Sequence, residues 1–163
     1  MTSSRASSGR QATAASPECA QASSITRRIV EAVAERARSG DPVRMLGLTG
    51  PPGTGKSTIA AQLAVALPEA GIAVAGLVPM DGFHMSNALL AERGLADHKG
   101  APDTFDVGGY VAMLGRVRRA DGIVLAPDYR RDLHEPVAAS LAIEVDGVVI
   151  TEGNYLGLEL PGW

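Results

Sequence analysis

Cysteine is almost missing from this chain. Cys19 is the only one in 163 residues, so no internal disulfide framework can form, and no Cys/His cluster has zinc-finger spacing. A surplus of positive charge is missing too: 15 Lys and Arg face 18 Asp and Glu, for a formal net charge of −3. A basic nucleic-acid-binding surface is therefore not the default expectation. No apolar run approaches the ~20 residues that a membrane-spanning helix needs. Aromatics supply only 4% of residues, yet 45% are hydrophobic in the wider sense, enough to bury one sizeable core. These absences predict a soluble, cytoplasmic chain with neither nucleic acid nor membrane as partner.

Residues 1–23 are rich in Ser, Ala and Thr, with no acid before Glu18. Such a stretch cannot bury enough apolar surface to order itself, and it reads as a tail in preference to a transit peptide. A single domain is expected over residues 24–163. Ile25, Ile29, Val33 and Ala37 recur every fourth residue, which predicts a helix capped by Ser24 and closed at Gly40. An apolar strand is expected over 43–49, then a glycine-rich turn, and a helix from Lys56 to Leu67 stopped by Pro68. A second buried strand follows at 72–78, and helices at 85–93 and 107–119 with a polar loop between them. Strands are predicted at 123–126, 142–145 and 148–151. Asp146-Gly147 between the last two is a hairpin signal. Strands alternating with helices predict a parallel α/β sheet covered on both faces, and no internal repeat is present.

Gly50-Pro51-Pro52-Gly53-Thr54-Gly55-Lys56-Ser57 fits the spacing G-x-x-x-x-G-K-[ST], with a strand before it and a helix after. Glycines let successive backbone N–H groups turn inward around a phosphate, and the helix N-terminus adds partial positive charge. In such a loop Lys56 reaches the β- and γ-phosphates, the Ser57 hydroxyl ligates Mg²⁺, and Thr58 helps hold an inner phosphate. ATP and Mg²⁺ are the cofactors this predicts. The wording GPPGTGKS is also common in AAA-type ATPases. Here, however, the later strand ends in Glu152-Gly153, not Asp-Glu, and no Asn-Lys-x-Asp motif is present to read guanine.

Asp81 follows the second strand, where an acid at the carboxyl end of a parallel strand faces the ligand crevice. There it either takes the proton from a hydroxyl attacking a γ-phosphate, or begins a turn and caps the next helix. Glu152 closes an apolar strand, where a carboxylate holds Mg²⁺ directly or through water, or simply opens a loop.

Several ordered motifs add a resemblance. Asp81-Gly82-Phe83-His84, then Glu92-Arg93-Gly94-Leu95, then Lys99 to Asp106, Pro127-Asp128-Tyr129, His134, Pro136 and Val149 to Leu156 resemble the bacterial pantothenate kinases. Uridine kinases, phosphoribulokinases and a bacterial branch labelled fructose-transport-associated kinases share the likeness. It covers about residues 43–163. It implies a P-loop three-layer α/β/α fold with a mainly parallel sheet, and ATP-dependent phosphorylation of a hydroxyl on a small metabolite. Asp81 would be general base, Lys56 would stabilise developing charge, and His84, Lys99, Tyr129, Arg131 and His134 would meet the acceptor. Gly100 stands where uridine kinases carry an aspartate for ribose hydroxyls, which favours the pantothenate-kinase-like pattern.

Family members continue past the Glu152 strand with another strand and an arginine-bearing lid. The chain is thus expected to be incomplete at its carboxyl end, to bind Mg-ATP and to transfer phosphate slowly. A homodimer is one form this reading admits. The rival expectation is a nucleotide-binding remnant or regulatory module without transfer activity.

Overall fold

The computed structural model describes residues 23–119, 122–144 and 146–160. The tail expected over 1–23 lies, apart from Ser23, outside the described residues, as does Val145. Helix α1 spans Ser24–Arg38, β1 Met45–Thr49, α2 Lys56–Glu69 and β2 Val74–Pro79. After a 3-10 turn at Met80–Phe83 come α3, Asn87–Glu92, and two further 3-10 turns at Ala96–His98 and Pro102–Thr104. Then follow α4, Val107–Arg119, β3, Val124–Arg130, β4, Glu135–Ile143, and β5, Val148–Gly153.

The main sheet is parallel, in the order β1-β5-β2, so the last strand in sequence is inserted at the centre. Its composition explains the position. Val148, Val149, Ile150 and Thr151 are all buried, which only a strand covered on both faces permits. Val148 and Ile150 pack with Ala60, Leu63 and Leu67 of α2 and with Val33 of α1. Val149 belongs to the opposite core, with Tyr110, Met113 and Val117 of α4 and Val124 and Ile143 of the β3–β4 hairpin. Leu63 and Leu67 are fully buried, so truncating either to Ala costs about 2–5 kcal/mol. The fold is the expected P-loop α/β architecture, helix layers on either side of a mainly parallel sheet. Among the described residues no helix is long and apolar enough to cross a membrane.

Four local expectations need correction. Helix α1 is capped by Ser23, whose hydroxyl accepts from Thr26 N–H, and of its expected apolar stripe Ile29 and Val33 face the core while Ile25 and Ala37 are exposed. Ile25 is 53% exposed whereas Thr26 is buried, because the Thr26 hydroxyl donates to Gln62 Oε1 of α2 at 2.6 Å. A polar residue that finds a partner is buried as readily as an apolar one. Pro68 lies inside the last turn of α2 rather than stopping it at Leu67; the helix ends two residues later than expected, at Glu69.

Asp146-Gly147 does not turn a hairpin. β4 pairs antiparallel with β3, and the chain then crosses into the parallel sheet as β5. Gly147 serves that crossing instead: its φ is +134°, and a Cβ there would lie 2.6 Å from the Ala73 carbonyl oxygen. Finally, β3 does not stop before Pro127, and β4 starts well before residue 142. Pro127 has no N–H to give the ladder, and the pairing is irregular there, jumping from Ala126↔Leu141 to Asp128↔Val137. The extra β4 residues include Ala139 in a left-handed conformation, φ +54°.

Candidate active site

The phosphate loop leaves β1 at Thr49 and enters α2 at Lys56. Gly53 and Gly55 have φ of +76° and +82°, the left-handed backbone that turns the amides of the loop inward. Pro51 O is the internal tie of the loop. It accepts from Thr54 Oγ1 and from Lys56 Nζ, both at 2.8 Å, so the ammonium lies across the mouth of the loop.

Glu152 closes the central strand in register with Leu48 of β1 on one side and Pro79 of β2 on the other. Its Oε1 accepts from Ser57 Oγ at 3.0 Å, over a separation of 95 residues. Two oxygens at adjacent corners of an octahedron with 2.0–2.1 Å arms stand about 2.9 Å apart. A hydroxyl and one carboxylate are also the hard-oxygen set Mg²⁺ takes when phosphates and water complete its shell. The pair therefore fits that ion. A cleft of about 270 Å³ opens between Ser57, Glu152, Pro79, Leu141 and Asp128.

Asp81 follows two residues after Pro79, so its turn stands beside the end of the Glu152 strand. It does not cap α3, because Ser86 does: the Ser86 hydroxyl accepts from Leu89 N–H. The Asp81 backbone carbonyl holds His84 through both its N–H and its Nδ1. The His84 ring packs on Phe105 and Tyr129, with centroids 4.0 and 5.1 Å away. Gly82 explains how the turn sits so close to β3: a Cβ there would lie 2.4 Å from the Pro127 carbonyl oxygen.

The remaining residues expected to meet the acceptor gather on this same side, in different ways. Lys99 Nζ donates to Asn87 Oδ1 and to the His134 carbonyl, and lies 5.3 Å from the Tyr129 ring centroid. His134 contributes its carbonyl to these contacts; its ring is exposed on the hairpin turn, where its φ is +52°. Arg131 is exposed on that turn beside the Arg130–Asp132 ion pair. Sequence reasoning missed Asp128 as a lining residue of the cleft, although it lies within the quoted Pro-Asp-Tyr motif. It also missed Asn87 and Glu135, which carry no local signal at all.

A strand–loop–helix phosphate cradle at the carboxyl ends of a parallel sheet defines a P-loop nucleotide-binding protein. A family model described as "Methylmalonyl Co-A mutase-associated GTPase MeaB" matches residues 9–93, the half with the cradle, and stops before the Lys99 loop and the hairpin. Other matches cover more of the chain. The chain is 40% identical over 119 residues to YggC of Escherichia coli K12, covering 71% of this chain and 48% of that one. It is 35% identical to a Schizosaccharomyces pombe protein named "Putative uridine kinase C227.14", covering 73% and 54%. It is 31% identical to pantothenate kinase of Limosilactobacillus reuteri, covering 72% and 38%. Among solved structures, a "putative fructose transport system kinase" from Silicibacter sp. TM1040 superposes with a TM-score of 0.77 at 37% identity, covering 85% of this chain and 67% of that one.

The chain belongs to the P-loop kinases of the uridine kinase and pantothenate kinase group. It spans about half or less of the length of the curated relatives named here.

Proposed function

We propose that the chain carries the nucleotide side and part of the acceptor side of a cytoplasmic kinase that phosphorylates a hydroxyl of a small metabolite from Mg-ATP. The observation that carries this reading is the convergence at one sheet edge. Ser57 meets Glu152 at 3.0 Å, and the Asp81 turn begins one strand away. The eight residues Gly50 to Ser57, with Thr58 behind them, would hold the triphosphate through backbone N–H groups, and Lys56 would swing from Pro51 O to the β- and γ-phosphates. Ser57 and Glu152 would hold Mg²⁺, which when bound neutralises charge on the phosphate oxygens.

Asp81 would accept the acceptor's hydroxyl proton while that oxygen bonds to the γ-phosphorus and the bond to the β,γ-bridging oxygen breaks, releasing ADP. Its freedom from capping duty supports this role, since Ser86 serves α3. Holding acceptor and γ-phosphate together supplies much of the rate by itself. Lys99, Tyr129, His84, His134 and Arg131 would frame the acceptor. The test is direct: measure ADP release with pantothenate, uridine and fructose as acceptors, wild type against Asp81→Asn. Turnover in the wild type that vanishes in the variant, at equal ATP affinity, is the expected result. Equal turnover would return Asp81 to a purely structural turn.

A further inference from the structure

Only two lysines occur in the whole chain, Lys56 at the end of the phosphate loop and Lys99 in the loop after α3. Lys99 is the unusual one. It is half-buried, and its ammonium is held by an amide oxygen, a backbone carbonyl and an aromatic face, all of them neutral. None of the ion pairs found among the described residues includes it. An ammonium has three donors, and two are taken. A cation partly withdrawn from water, held directly by neutral groups and left with one N–H, is complementary to an anionic oxygen.

What holds it there is Asn87. At the start of α3, the Asn87 side chain accepts from Lys99 through Oδ1 and donates through Nδ2 to the His134 carbonyl, which Lys99 also uses. The Asn87 backbone N–H is in turn held by Glu135 Oε1 at 2.8 Å. One amide thus joins α3, the Lys99 loop and the turn of the β3–β4 hairpin, three segments 12, 35 and 47 residues apart. A lysine side chain has many rotamers to lose on binding, so fixing it before the ligand arrives strengthens binding.

The geometry points to Asn87 as a positioning residue that pre-sets Lys99 to select acceptors carrying a carboxylate or another anionic group. This rests on the acceptor-side reading above and deepens it. The two lysines make the test clean, because Nζ-labelled lysine gives one signal for the phosphate loop and one for the loop after α3. The probes are pantothenate against panthenol, and D-glycerate against glycerol, each pair differing in one carboxylate. In the wild type the Lys99 signal should move with pantothenate or D-glycerate and stay still with the neutral partner, and the anion should bind at least 10-fold tighter.

Asn87→Ala should shift Lys99 to the position of a free lysine and weaken the anion 3- to 10-fold, leaving the neutral probe and Mg-ATP unchanged. Combined with Lys99→Ala it should add nothing to the single Lys99→Ala loss. Asn87→Asp should keep Lys99 in place yet remove the preference, because the new carboxylate neutralises it. A Lys99 signal indifferent to all four probes, or anion and neutral partner bound alike, overturns the anionic class. Equal loss for both probes, or additive effects of the two alanines, overturns the positioning role. Failure of the Lys56 signal to respond to Mg-ATP would instead sink the underlying kinase reading.

Discussion

On the nucleotide side of the cleft, eight consecutive residues between β1 and α2 form the cradle, and its internal hydrogen bonds reach no further than five residues. On the acceptor side, the Lys99 loop, the start of α3 and the β3–β4 hairpin must meet across separations of 12 to 48 residues. A local device needs only its own glycines and the strand and helix that flank it. A composite one depends on every packing contact between its parts. The nucleotide side should therefore fail only when its own residues are changed, and the acceptor side should fail from a distance as well.

The sharpest break is Lys56→Ala. Mg-ATP affinity should fall by about two to three orders of magnitude, since the loop loses its only cation for the phosphates. The acceptor-side network, which does not use Lys56, should be untouched. Titration calorimetry with Mg-ATP measures the first, and an unchanged Lys99 signal the second. Unchanged ATP affinity would remove the nucleotide from this loop.

Next comes Asp81→Asn, with ATP affinity nearly constant and phosphoryl transfer lowered by ~10²-fold or more, the loss expected of a general base. Steady-state ADP release together with ATP titration separates the two. A fall in ATP affinity of the same size would mean that the sides of the cleft are not independent.

Gly82→Ala tests action at a distance. A methyl at this position meets the Pro127 carbonyl, so the Asp81 turn and β3 must move apart, at about 1–3 kcal/mol. Thermal unfolding should register the loss. Acceptor binding should weaken beyond what stability explains, while Mg-ATP affinity holds. If ATP affinity falls in parallel, the hairpin supports the cradle too.

The same contrast governs what could be read from the sequence. The cradle was legible because its chemistry is contiguous. Asp81 and Glu152 were legible because each ends an apolar run, and strand ends face the crevice. The hairpin was not, since the strand expected over 123–126 runs on past Pro127, where the ladder bulges, and Asp146-Gly147 has turn composition but serves a crossing. Asn87 and Glu135 were invisible because their meaning depends on a partner about 47 residues away. Thr26 hid in α1 for the same reason: nothing nearby announces Gln62.

The smallest effect concerns the seam behind the cleft, where α4 meets the central strand. Tyr110 O–H and Thr151 Oγ1 lie 2.5 Å apart, and Thr151 Oγ1 donates to the Val78 carbonyl at 2.7 Å, which leaves Tyr110 as the donor to Thr151. Tyr110→Phe removes one buried hydrogen bond while Thr151 keeps the other, so the loss should be about 1 kcal/mol, a drop in Tm of about 2–4 °C. Burial, above all, pushes the Tyr110 phenol above its ordinary value of 10.0, and the Glu152 charge adds to it. The folded state thus prefers the protonated phenol. Its contribution is fully present below pH ~10 and is lost as pH rises through the raised value, because the unfolded chain then gives up the proton first. Wild type should therefore lose its small advantage over Tyr110→Phe in alkaline denaturation curves, and the two should cross above pH ~10. Parallel curves at every pH would mean that the phenol is not buried in the folded protein, and that this side of the sheet is as open as the acceptor side.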